Sequence, residues 1–374
     1  WAKLLDPTDA VKFSPEVFLK GKDGWNPKIE SDDKWAYRNR PDFELVRWED
    51  VLDQPDEWYG VDEATRIANQ VISYQRNNGG WPKNIDMAAM LTQKEREALL
   101  SSKKLNDTTI DNGATTKQLA FLAKVIMAKD IAEHKESFFK GLDFLFSMQY
   151  PNGGFPQFFP LRKDYSRFIT YNDNAMTSVL RLFRQIRDRK SDYVFVDEHR
   201  RQKAAISFKK GVDLTLRLQV EINGKKTIWA AQYDNETLLP APARSFEPVS
   251  LTSIESLGIV RLLMLDSKPT ADMRVAIDSA AEWFEKNKIV GFRWIKDRND
   301  SRIEKDAAAG PLWARFYELR SMRPIFIGRD GVIKYDVSEI EEERRNGYAW
   351  YTDGGEKFLR VEYPRWREKV QEKE

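Results

Sequence analysis

Cysteine is absent from this 374-residue sequence, and histidine occurs only twice. The lack of cysteine excludes a disulfide framework, a thiolate nucleophile, a cysteine-bound zinc site and a cysteine-ligated iron–sulfur cluster. His134 and His199 lie among charged neighbours, in Ala-Glu-His-Lys-Glu and Asp-Glu-His-Arg-Arg. Such surroundings predict solvated helix faces rather than a histidine triad or a zinc site. Carboxylates, arginines and lysines are therefore the groups left to carry chemistry.

An excess of charge of one sign is also lacking, because 61 Lys and Arg residues are balanced by 59 Asp and Glu residues. This balance provides no broad basic field for nucleic acid. No apolar run reaches about 18 residues, so we expect no membrane-spanning helix. The chain begins at Trp1 rather than Met, and we expect that an original N-terminus has been removed, which is compatible with export.

The sequence does contain a large apolar and aromatic fraction. Hydrophobic residues make up 41% of the chain and aromatic residues 12%, which predicts a globular protein rather than a disordered one. Tryptophan occurs twelve times, and its flat ring binds sugar rings as well as filling cores. The composition thus gives a first indication of a carbohydrate ligand.

An internal repeat organises the chain. Residues 73–82 read Ser-Tyr-Gln-Arg-Asn-Asn-Gly-Gly-Trp-Pro, and residues 147–156 read Ser-Met-Gln-Tyr-Pro-Asn-Gly-Gly-Phe-Pro. A third, less regular copy spans residues 217–232, and we predict a fourth over residues 283–294. In each copy a helix with apolar residues at helical spacing ends before a glycine-containing turn, and in the first three a second helix follows.

The second helices are predicted over residues 114–129, 175–187 and 250–264. Helix pairs that repeat roughly every 70 residues generally close into a ring or stack as a solenoid. Four copies with irregular ends favour an all-α fold, an incomplete (α/α) toroid of helix-pair repeats with short β-strands and long loops. We assign residues 45–374 to one such domain and residues 1–44 to an irregular N-terminal extension. In such a ring the glycine-rich turns gather on one face, where we expect the functional site.

An acidic residue precedes the second helix of each of the first three copies. Asp111-Asn112 aligns with Asp173-Asn174, and Glu247 occupies the corresponding place in the third copy. One interpretation is helix N-capping, since Asp accepts backbone N–H bonds there and an acidic side chain suits the helix dipole. The other is that the ring brings Asp111 and Asp173 together. Two carboxylates with amide and water oxygens would bind a hard cation, and calcium fits such a site better than zinc.

Arg244 lies in a stiff segment beside the third copy. Pro240, Pro242 and Pro248 favour an extended backbone on either side of it. Arg244 is therefore presented just before the predicted start of a second helix, although a surface ion pair is the alternative for any arginine.

Several other residues allow two interpretations. On the sequence alone, the Lys209-Lys210 pair and the arginines Arg323 and Arg329 fit solvated or salt-bridged charges better than ligand contacts. Trp81 fits core packing beneath its turn as well as it fits stacking against a sugar ring.

Five segments resemble those of the family 10 pectate lyases and follow each other in consistent order. They are Tyr74-Gln-Arg-Asn-Asn-Gly-Gly-Trp-Pro-Lys-Asn84, Thr109-Ile-Asp-Asn-Gly-Ala-Thr-Thr116, Tyr171-Asn-Asp-Asn-Ala-Met-Thr177, Trp229-Ala-Ala-Gln-Tyr-Asp with the later Pro-Ala-Arg244, and Arg329-Asp-Gly331 with Glu343-Arg-Arg-Asn-Gly-Tyr-Ala-Trp350. The resemblance covers roughly residues 45–363. It implies an incomplete α/α toroid and calcium-assisted anti β-elimination of polygalacturonate. It also implies that Asp111 and Asp173 bind calcium and that Arg244 is the catalytic base.

The same resemblance implies a substrate site and a setting. The substrate is polygalacturonate or an oligogalacturonide, the cofactor is Ca²⁺, and we expect a secreted or periplasmic monomer without nucleic-acid or membrane partners. The one departure noted is Tyr233, where the family has histidine. The residues expected at the substrate are Arg323 or Arg329, Lys209 or Lys210, Asn112 and Trp81.

These residues suit elimination for a chemical reason. The C5 proton of a galacturonate is hard to remove because the neighbouring carboxylate is already negative, and a bound cation neutralises that charge. Arginine is an unusual base, since its free pKa is above about 12. Calcium and neighbouring cations would lower that pKa, so we expect activity that climbs into the alkaline range.

Two other functions fit parts of the pattern. A hydrolase on the same fold would use a carboxylate pair, such as Asp173 with Glu247 or Asp234, and its products would lack an unsaturated bond. A non-catalytic, calcium-dependent oligogalacturonide-binding protein would keep the aspartates and basic residues without turnover. The presence of Arg244 argues against the binding protein.

Overall fold

The computed structural model describes residues 46–297 and 300–372. The extension predicted for residues 1–44 lies outside this part. Within the described residues, no helix is both long and apolar enough to cross a membrane. The chain divides into two compact units, Trp1–Leu145 and Phe146–Glu374.

Helices dominate both units. The second helices of the first three repeats are α3, α5 and α7, which begin within three residues of their predicted starts. The helices of the first unit are α1 (Asp62–Tyr74), α2 (Gln93–Ser102) and α3 (Thr116–Ala128), and α4 (Ala132–Met148) contains the boundary between the units. In the second unit they are α5 (Ala175–Arg187), α6 (Glu198–Arg217), α7 (Ser253–Leu263), α8 (Ala271–Lys286), α9 (Glu342–Gly347), α10 (Gly354–Lys357) and α11 (Tyr363–Gln371).

Local sequence explains where several helices start. Thr92 and Glu95 form a capping box at α2, in which each side chain accepts a hydrogen bond from the other's backbone N–H. Asp197 caps α6 by accepting from the backbone N–H of Arg200 (2.9 Å). Such caps satisfy N–H groups that a helix start otherwise leaves unpaired.

Short antiparallel strands occupy the second unit. The largest sheet has the order β11-β10-β9-β5, and β5 leads directly into α7, so this sheet connects the start of α7 with the C-terminal segment. Its strands are β5 (Leu251–Thr252), β9 (Phe316–Tyr317), β10 (Pro324–Ile327) and β11 (Ile333–Lys334). The two-stranded pairs are β1 (Ile169–Thr170) with β4 (Gln232–Tyr233), β2 (Glu221–Ile222) with β3 (Lys225–Lys226), β6 (Phe292–Ile295) with β7 (Arg302–Lys305), and β8 (Trp313–Ala314) with β12 (Tyr351–Thr352).

A glutamine marks the same point in three copies of the repeat. The Nε2 of Gln75 donates to the carbonyl of Gly79 (2.8 Å) in its own turn and to that of Ser137 (2.9 Å) on α4. The equivalent bonds run from Gln149 to Gly153 and to Ser207 on α6, and from Gln219 to Thr227 and to Ala276 on α8. Each glutamine therefore closes its own turn and ties it to a later helix, which confirms the first three copies.

Buried tryptophans correct the position of the fourth copy. In three copies the indole Nε1 donates to a carbonyl of the preceding helix: Trp81 to Val71, Trp229 to Thr215, and Trp313 to Phe284. The fourth copy thus continues at Trp313, and its predicted turn within residues 283–294 is wrong. The reason is an insertion, because the β6–β7 hairpin lies between α8 and Trp313.

Glycine is required in the turns of the first two copies. Gly79 and Gly153 have φ of 96° and 100°, a left-handed conformation that other residues rarely adopt. A Cβ atom at Gly79 would lie 2.3 Å from the carbonyl oxygen of Lys140, and one at Gly153 would lie 2.4 Å from that of Lys210. Each turn therefore packs directly on the backbone of a helix and positions the segment that follows it.

Candidate active site

The first predicted metal ligand, Asp111, lies in a short 3-10 turn of the first unit. Its carboxylate is 4% exposed, and Oδ2 accepts a hydrogen bond from Nζ of Lys83. Oδ1 is buried and has no hydrogen-bond partner among the described residues. The next residue, Asn112, has φ of 50° and donates from Nδ2 to Asn84 Oδ1 (2.9 Å). The loop thus holds one buried carboxylate, and one of its oxygens accepts no hydrogen bond from the described residues.

The second predicted ligand, Asp173, lies in a similar 3-10 turn of the second unit. It adopts φ of 51° itself, and its carboxylate is 43% exposed. Asn172 Nδ2 donates to Oδ2 (2.6 Å), and Nη2 of Arg315 lies 3.5 Å from Oδ1. This carboxylate is open to solvent and flanked by an amide and a guanidinium group.

Backbone hydrogen bonds give the alignment of these loops. The matching bonds run from Thr109 N to Trp81 O, from Thr170 N to Phe155 O and from Thr252 N to Trp229 O. Counted from these threonines, Asp111 corresponds to Asn172, and Asp173 corresponds to Asn112. The predicted alignment of the two aspartates is therefore displaced by one residue, and the acid of the third copy that matches Asp173 is Glu255 rather than Glu247.

The N-capping interpretation of the aspartates is wrong. Helix α3 has Thr115 at its N-cap and α5 has Asn174, and neither helix has a side-chain cap. Thr115 instead adopts φ of 61° and uses its hydroxyl to accept from Trp81 N (3.1 Å) and donate to Thr109 O (2.8 Å). The aspartates are therefore not needed to start the helices.

A buried ion pair lies behind Asp173. The side chains of Arg315 and Glu255 are 7% and 2% exposed, with Nη2 2.5 Å from Oε1. The Thr252 hydroxyl donates to the other carboxylate oxygen, and Arg315 Nη2 also donates to Asn172 Oδ1 (3.0 Å). Burial alone would lower the pKa of Arg315, but the charge of Glu255 outweighs it and the pKa is raised. Arg315 is therefore a permanent cation next to Asp173.

The predicted base, Arg244, is bound side-on by Glu247. Nε donates to Oε2 (2.9 Å) and Nη2 to Oε1 (2.5 Å), and the backbone N–H of Arg244 also reaches Oε2 (3.3 Å). The Tyr348 hydroxyl donates to Oε1 from the other side (3.0 Å). The Arg244 side chain is still 48% exposed, and Nη1 has no hydrogen-bond partner in the described part of the chain.

This pairing keeps both groups charged. The hydrogen bonds to Glu247 raise the pKa of Arg244, while burial acts in the opposite direction. Burial would raise the pKa of Glu247, but the hydrogen bonds and charge of Arg244 outweigh it and the pKa is lowered. Among the protein groups alone, the shift at Arg244 is thus opposite to the one expected from neighbouring cations.

Three guanidinium groups contact the aromatic ring of Phe246. The Cζ atoms of Arg244, Arg329 and Arg344 lie 4.8, 4.8 and 4.6 Å from its centroid. Arg329 is half exposed and forms a bidentate pair with Glu343 (3.0 and 2.7 Å). We call Arg244, Arg329 and Arg344 the Phe246 arginine cluster. Cation–π contact holds these like charges together. Arg244 and Arg329 are each also paired with a glutamate, Glu247 and Glu343.

Arg344 is the buried member of the cluster. Its guanidinium lies 4.4 Å from the ring centroid of Tyr348 and 5.1 Å from that of Trp350. Nη2 is buried without a hydrogen-bond partner, and no carboxylate pairs with the group among the described residues. Burial lowers its pKa, and the nearby charge of Arg329 acts in the same direction. Within the described residues Arg344 therefore adds a positive charge that no carboxylate pairs directly, although the charge of Glu247 offsets part of it.

The remaining predicted basic residues lie away from this cluster. Arg323 stacks on Tyr335 at 3.8 Å. Lys209 is exposed on α6 and pairs with Asp213 (2.6 Å), and the neighbouring Lys210 is also exposed. No contact within the described residues joins any of the three to the cluster. Of the two arginines that the sequence left open, Arg329 is the one next to Arg244.

Two predictions are wrong because the side chains are buried. Trp81 is 0% exposed and so has no face for a sugar ring; the core-packing interpretation is correct. His134 is also fully buried, with Nε2 2.8 Å from Asn69 Oδ1, and burial lowers its pKa. Its charged sequence neighbours occupy other faces of α4, whereas His199 is exposed as predicted.

The donors fit calcium in chemistry, although the described residues contain no ready cluster. No group of three or more His, Cys, Asp or Glu side chains is arranged to hold a metal in that part of the chain. Asp111 and Asp173 both offer carboxylate oxygens, the donors that calcium prefers. The buried Oδ1 of Asp111 has no partner, and an unsatisfied buried acceptor of this kind suits an ion.

Two of the three carboxylates considered for a hydrolase, Glu247 and Asp234, lack the property of a general acid. The pKa of Glu247 is lowered, as described above. Burial would raise the pKa of Asp234, but hydrogen bonds from the backbone of Thr237 and Glu236 outweigh it and the pKa is lowered. A carboxylic acid that protonates a glycosidic oxygen needs a raised pKa. Neither residue meets this requirement.

Comparison with known proteins identifies the family of the chain. A model of the family described as pectic acid lyase matches residues 75–359. The chain belongs to the pectic acid lyase family. It is similar to the structure of a family 10 polysaccharide lyase from Cellvibrio cellulosa, with 30% sequence identity and a TM-score of 0.74 over 82% of this chain and 94% of that chain. A mutant of that lyase in complex with trigalacturonic acid matches at 29% identity and a TM-score of 0.74, over 86% of this chain and 99% of the other. A comparison with curated proteins found no match.

Membership of the pectic acid lyase family makes the chain a lyase and confirms the resemblance seen in the sequence. The predicted fold class, an incomplete (α/α) toroid, is confirmed as that of the family 10 lyases. In this pectic acid lyase the departure at Tyr233 has a structural role, because its hydroxyl accepts from the backbone N–H of Ala230 (2.7 Å).

Sequence reasoning missed several site residues of the lyase, and for one of them a signal existed. Trp313-Ala314 and Tyr317 repeat the spacing of Trp229-Ala230 and Tyr233, and Tyr317 accepts from Ala314 N (3.0 Å) as Tyr233 does from Ala230. This match would have revealed the fourth copy and, within it, Arg315. The other missed residues are Glu255, Phe246, Arg344 and Tyr348, whose contacts depend on tertiary structure.

Proposed function

We propose that this lyase is a pectate lyase that cleaves α-1,4-linked polygalacturonate by calcium-assisted anti β-elimination, with Arg244 as the base, and releases 4,5-unsaturated oligogalacturonides. The observation that carries the proposal is the Phe246 arginine cluster, in which Nη1 of the half-exposed Arg244 has no hydrogen-bond partner among the described residues.

The cluster supports recognition of a polyanion. Polygalacturonate carries one carboxylate per sugar, and an arginine binds a carboxylate through two parallel hydrogen bonds. Arg329 is exposed beside Arg244 and is our choice for a substrate carboxylate, with Glu343 exchanged for the substrate. Arg344, the buried member of the cluster, adds a positive charge without contacting the substrate directly. Arg323, Lys209 and Lys210 are assigned at most to more distant sugar units.

Arg244 supports the proton transfer. A neutral guanidine at Nη1 takes the C5 proton, the C5–H electrons form the C4–C5 double bond, and the C4–O bond breaks with its electrons on the leaving oxygen, which takes a proton from water. Because Glu247 raises the pKa of Arg244, little of the neutral form exists near pH 7. The rate should therefore climb with pH into the alkaline range.

Asp111 and Asp173 are the residues that would hold calcium. When bound, the ion would neutralise the uronate carboxylate and stabilise the charge that develops at C5. Asn112 lies in the 3-10 turn before α3 and remains a proposed substrate contact through its exposed side chain.

The deciding experiment follows absorbance of the unsaturated uronate during incubation with polygalacturonate at alkaline pH, with calcium and then with excess chelator. We expect a rise that the chelator stops and that Arg244→Ala abolishes without loss of fold. Reducing ends without absorbance would instead identify a hydrolase. Binding without any turnover would identify a binding protein.

Setting and assembly are also part of the proposal. Polygalacturonate is a polymer that does not pass through a membrane, so we propose that the enzyme is secreted or periplasmic and acts as a monomer. Cell fractionation and light scattering of the purified protein test the two statements separately.

A further inference from the structure

Glu247 contacts Arg244 more extensively than an ordinary ion-pair partner. It accepts from Nε, Nη2 and the backbone N–H of the same residue. Its own backbone N–H donates back to the Arg244 carbonyl (2.7 Å), and Ala243 N donates to the Glu247 carbonyl (3.0 Å). The carboxylate and the guanidinium are thus locked within one tight turn.

A third residue holds the carboxylate itself. Tyr348, which follows α9, donates its hydroxyl to Oε1 of Glu247 (3.0 Å). Burial raises the pKa of Tyr348, so this hydroxyl keeps its proton over the working pH range. Glu247 is buried and has no freedom to leave the pair for solvent.

The geometry leaves one end of the guanidinium for chemistry. Nε and Nη2 are both occupied by Glu247, whereas Nη1 has no partner in the described part of the chain and the side chain is 48% exposed. A flexible arginine would lose rotamer freedom when it orients toward a substrate. Here that freedom is already removed before substrate binds.

We propose that Glu247, held by Tyr348, is the positioning residue of Arg244 and aims Nη1 at the substrate. This inference rests on the proposed base role of Arg244. Glu247 does not itself exchange a proton with the substrate.

The carboxylate that positions Arg244 also favours its charged guanidinium, so it lowers the fraction of neutral guanidine available to act as the base. The opposing groups are the cations of the cluster. The titratable and charged groups around Arg244 are Glu247, Tyr165, Tyr348, Arg329 and Arg344. Removing the negative charge of Glu247 should therefore make deprotonation easier while it loosens the guanidinium, and the two effects separate in a pH profile.

The first test compares Glu247→Gln and Glu247→Asp with the wild-type enzyme. A glutamine side chain offers one acceptor and places an N–H donor against a guanidinium donor, so we expect kcat to fall roughly 10- to 100-fold with KM within about twofold. The fall should be smaller for Asp, which keeps the charge. In the Gln variant the alkaline rise should level off at lower pH than in the wild type.

The matched control is Glu362→Gln. Glu362 also pairs with an arginine of the second unit, Arg261 (2.7 Å), and contacts no residue of the Phe246 arginine cluster. We expect its kcat and pH profile to match the wild type. Equal losses in the two variants, or a fall in kcat that follows a loss of folded protein, would reduce Glu247 to a structural role and overturn the inference.

A second test needs no turnover. In Arg244→Gly, free guanidinium should bind in the vacated place beside Glu247, as followed by NMR titration of the protein. Adding Glu247→Gln should weaken that binding at least about fivefold, and Tyr348→Phe should weaken it less. Unchanged binding in the double variant would overturn the positioning role, whereas absence of unsaturated product in the wild type would overturn only the proposed function.

Discussion

The two aspartate loops follow similar backbone courses but place their charge differently. In the first unit the left-handed residue is Asn112, and the carboxylate precedes it on the buried Asp111. In the second unit the first left-handed residue is Asp173 itself, and its side chain is about ten times more exposed than that of Asp111, 43% against 4%. Moving the aspartate by one residue within the same turn thus changes a buried carboxylate into a solvent-exposed one.

The cations beside the aspartates differ in exposure in the opposite sense. Lys83 follows Trp81 by two residues and is 30% exposed, whereas Arg315 follows Trp313 by two and is 7% exposed. Equivalent places in the repeat therefore supply a cation to each aspartate. Arg315 is also paired with a second, buried carboxylate, that of Glu255, so its removal should destabilise the second unit.

The largest effect, a loss of folding stability, is expected when Arg315 is replaced. Arg315→Met leaves Glu255 buried without a counter-charge and should lower the free energy of unfolding by about 3–5 kcal/mol. Lys83→Met also takes the cation from a buried carboxylate, but Lys83 is 30% exposed and water can partly replace it, so the loss should be smaller, about 1–3 kcal/mol. Denaturant unfolding of both variants measures the difference, and equal losses would show that burial does not separate the two pairs. Adding Glu255→Gln to Arg315→Met should restore part of the loss.

The next effect concerns calcium. Asp111→Ala and Asp173→Ala should each lower kcat/KM about 100-fold at limiting calcium, because each removes an anionic oxygen donor. Part of the activity should return as calcium is raised. Asp188→Ala, in an exposed turn after α5, is the control and should behave as the wild type. A calcium response in either variant that matches the wild type would remove that aspartate from the metal site.

A smaller effect is expected from exchanging the two residues of the first loop. The double variant Asp111→Asn with Asn112→Asp keeps the composition but moves the carboxylate to the left-handed place that Asp173 occupies. We expect a calcium requirement raised about tenfold, since the charge leaves Lys83 and its buried setting. Calcium titration of the rate measures this, and a wild-type titration curve would mean that the register of the loop is irrelevant.

The smallest effect compares the two histidines. His134 is buried with a lowered pKa, so the unfolded chain binds a proton more readily, and stability is lost as pH falls below about 6.5. His134→Gln should reduce that loss between pH 7 and 5 by on the order of 1 kcal/mol. The exposed His199 gives the control, His199→Gln, whose pH dependence should follow the wild type. Unfolding curves at several pH values decide between them.

The sequence was sufficient for the elements that depend on local pattern. The apolar spacing of α5 predicts its bounds, and the repeated Gln and Gly-Gly places identify turns that glycine alone can occupy. The order of five motifs was sufficient to predict the family and its fold. These features repeat within one chain, so each copy supports the interpretation of the others.

The parts that could not be predicted depend on contacts between distant segments. Phe246 joins Arg244 to Arg344 across about a hundred residues of sequence, and no local signal marks that ring. The one-residue shift between Asp111 and Asp173 is set by backbone bonds from the threonines, whereas the Asp-Asn match suggests the wrong register. His134 was misjudged because its neighbours are charged while its own face of α4 is buried.

The glutamines at the turns give the repeat a direction. Gln75 depends on α4, Gln149 on α6 and Gln219 on α8 for one hydrogen bond of the side-chain amide, which is buried in Gln75 and Gln219 and half-buried in Gln149. Removing a later helix would leave the glutamine before it with a buried unpaired donor, whereas removing an earlier helix would not. Unfolding should therefore proceed from the C-terminal repeats toward the N-terminal ones, because each repeat needs the helix that follows it more than the helix that precedes it.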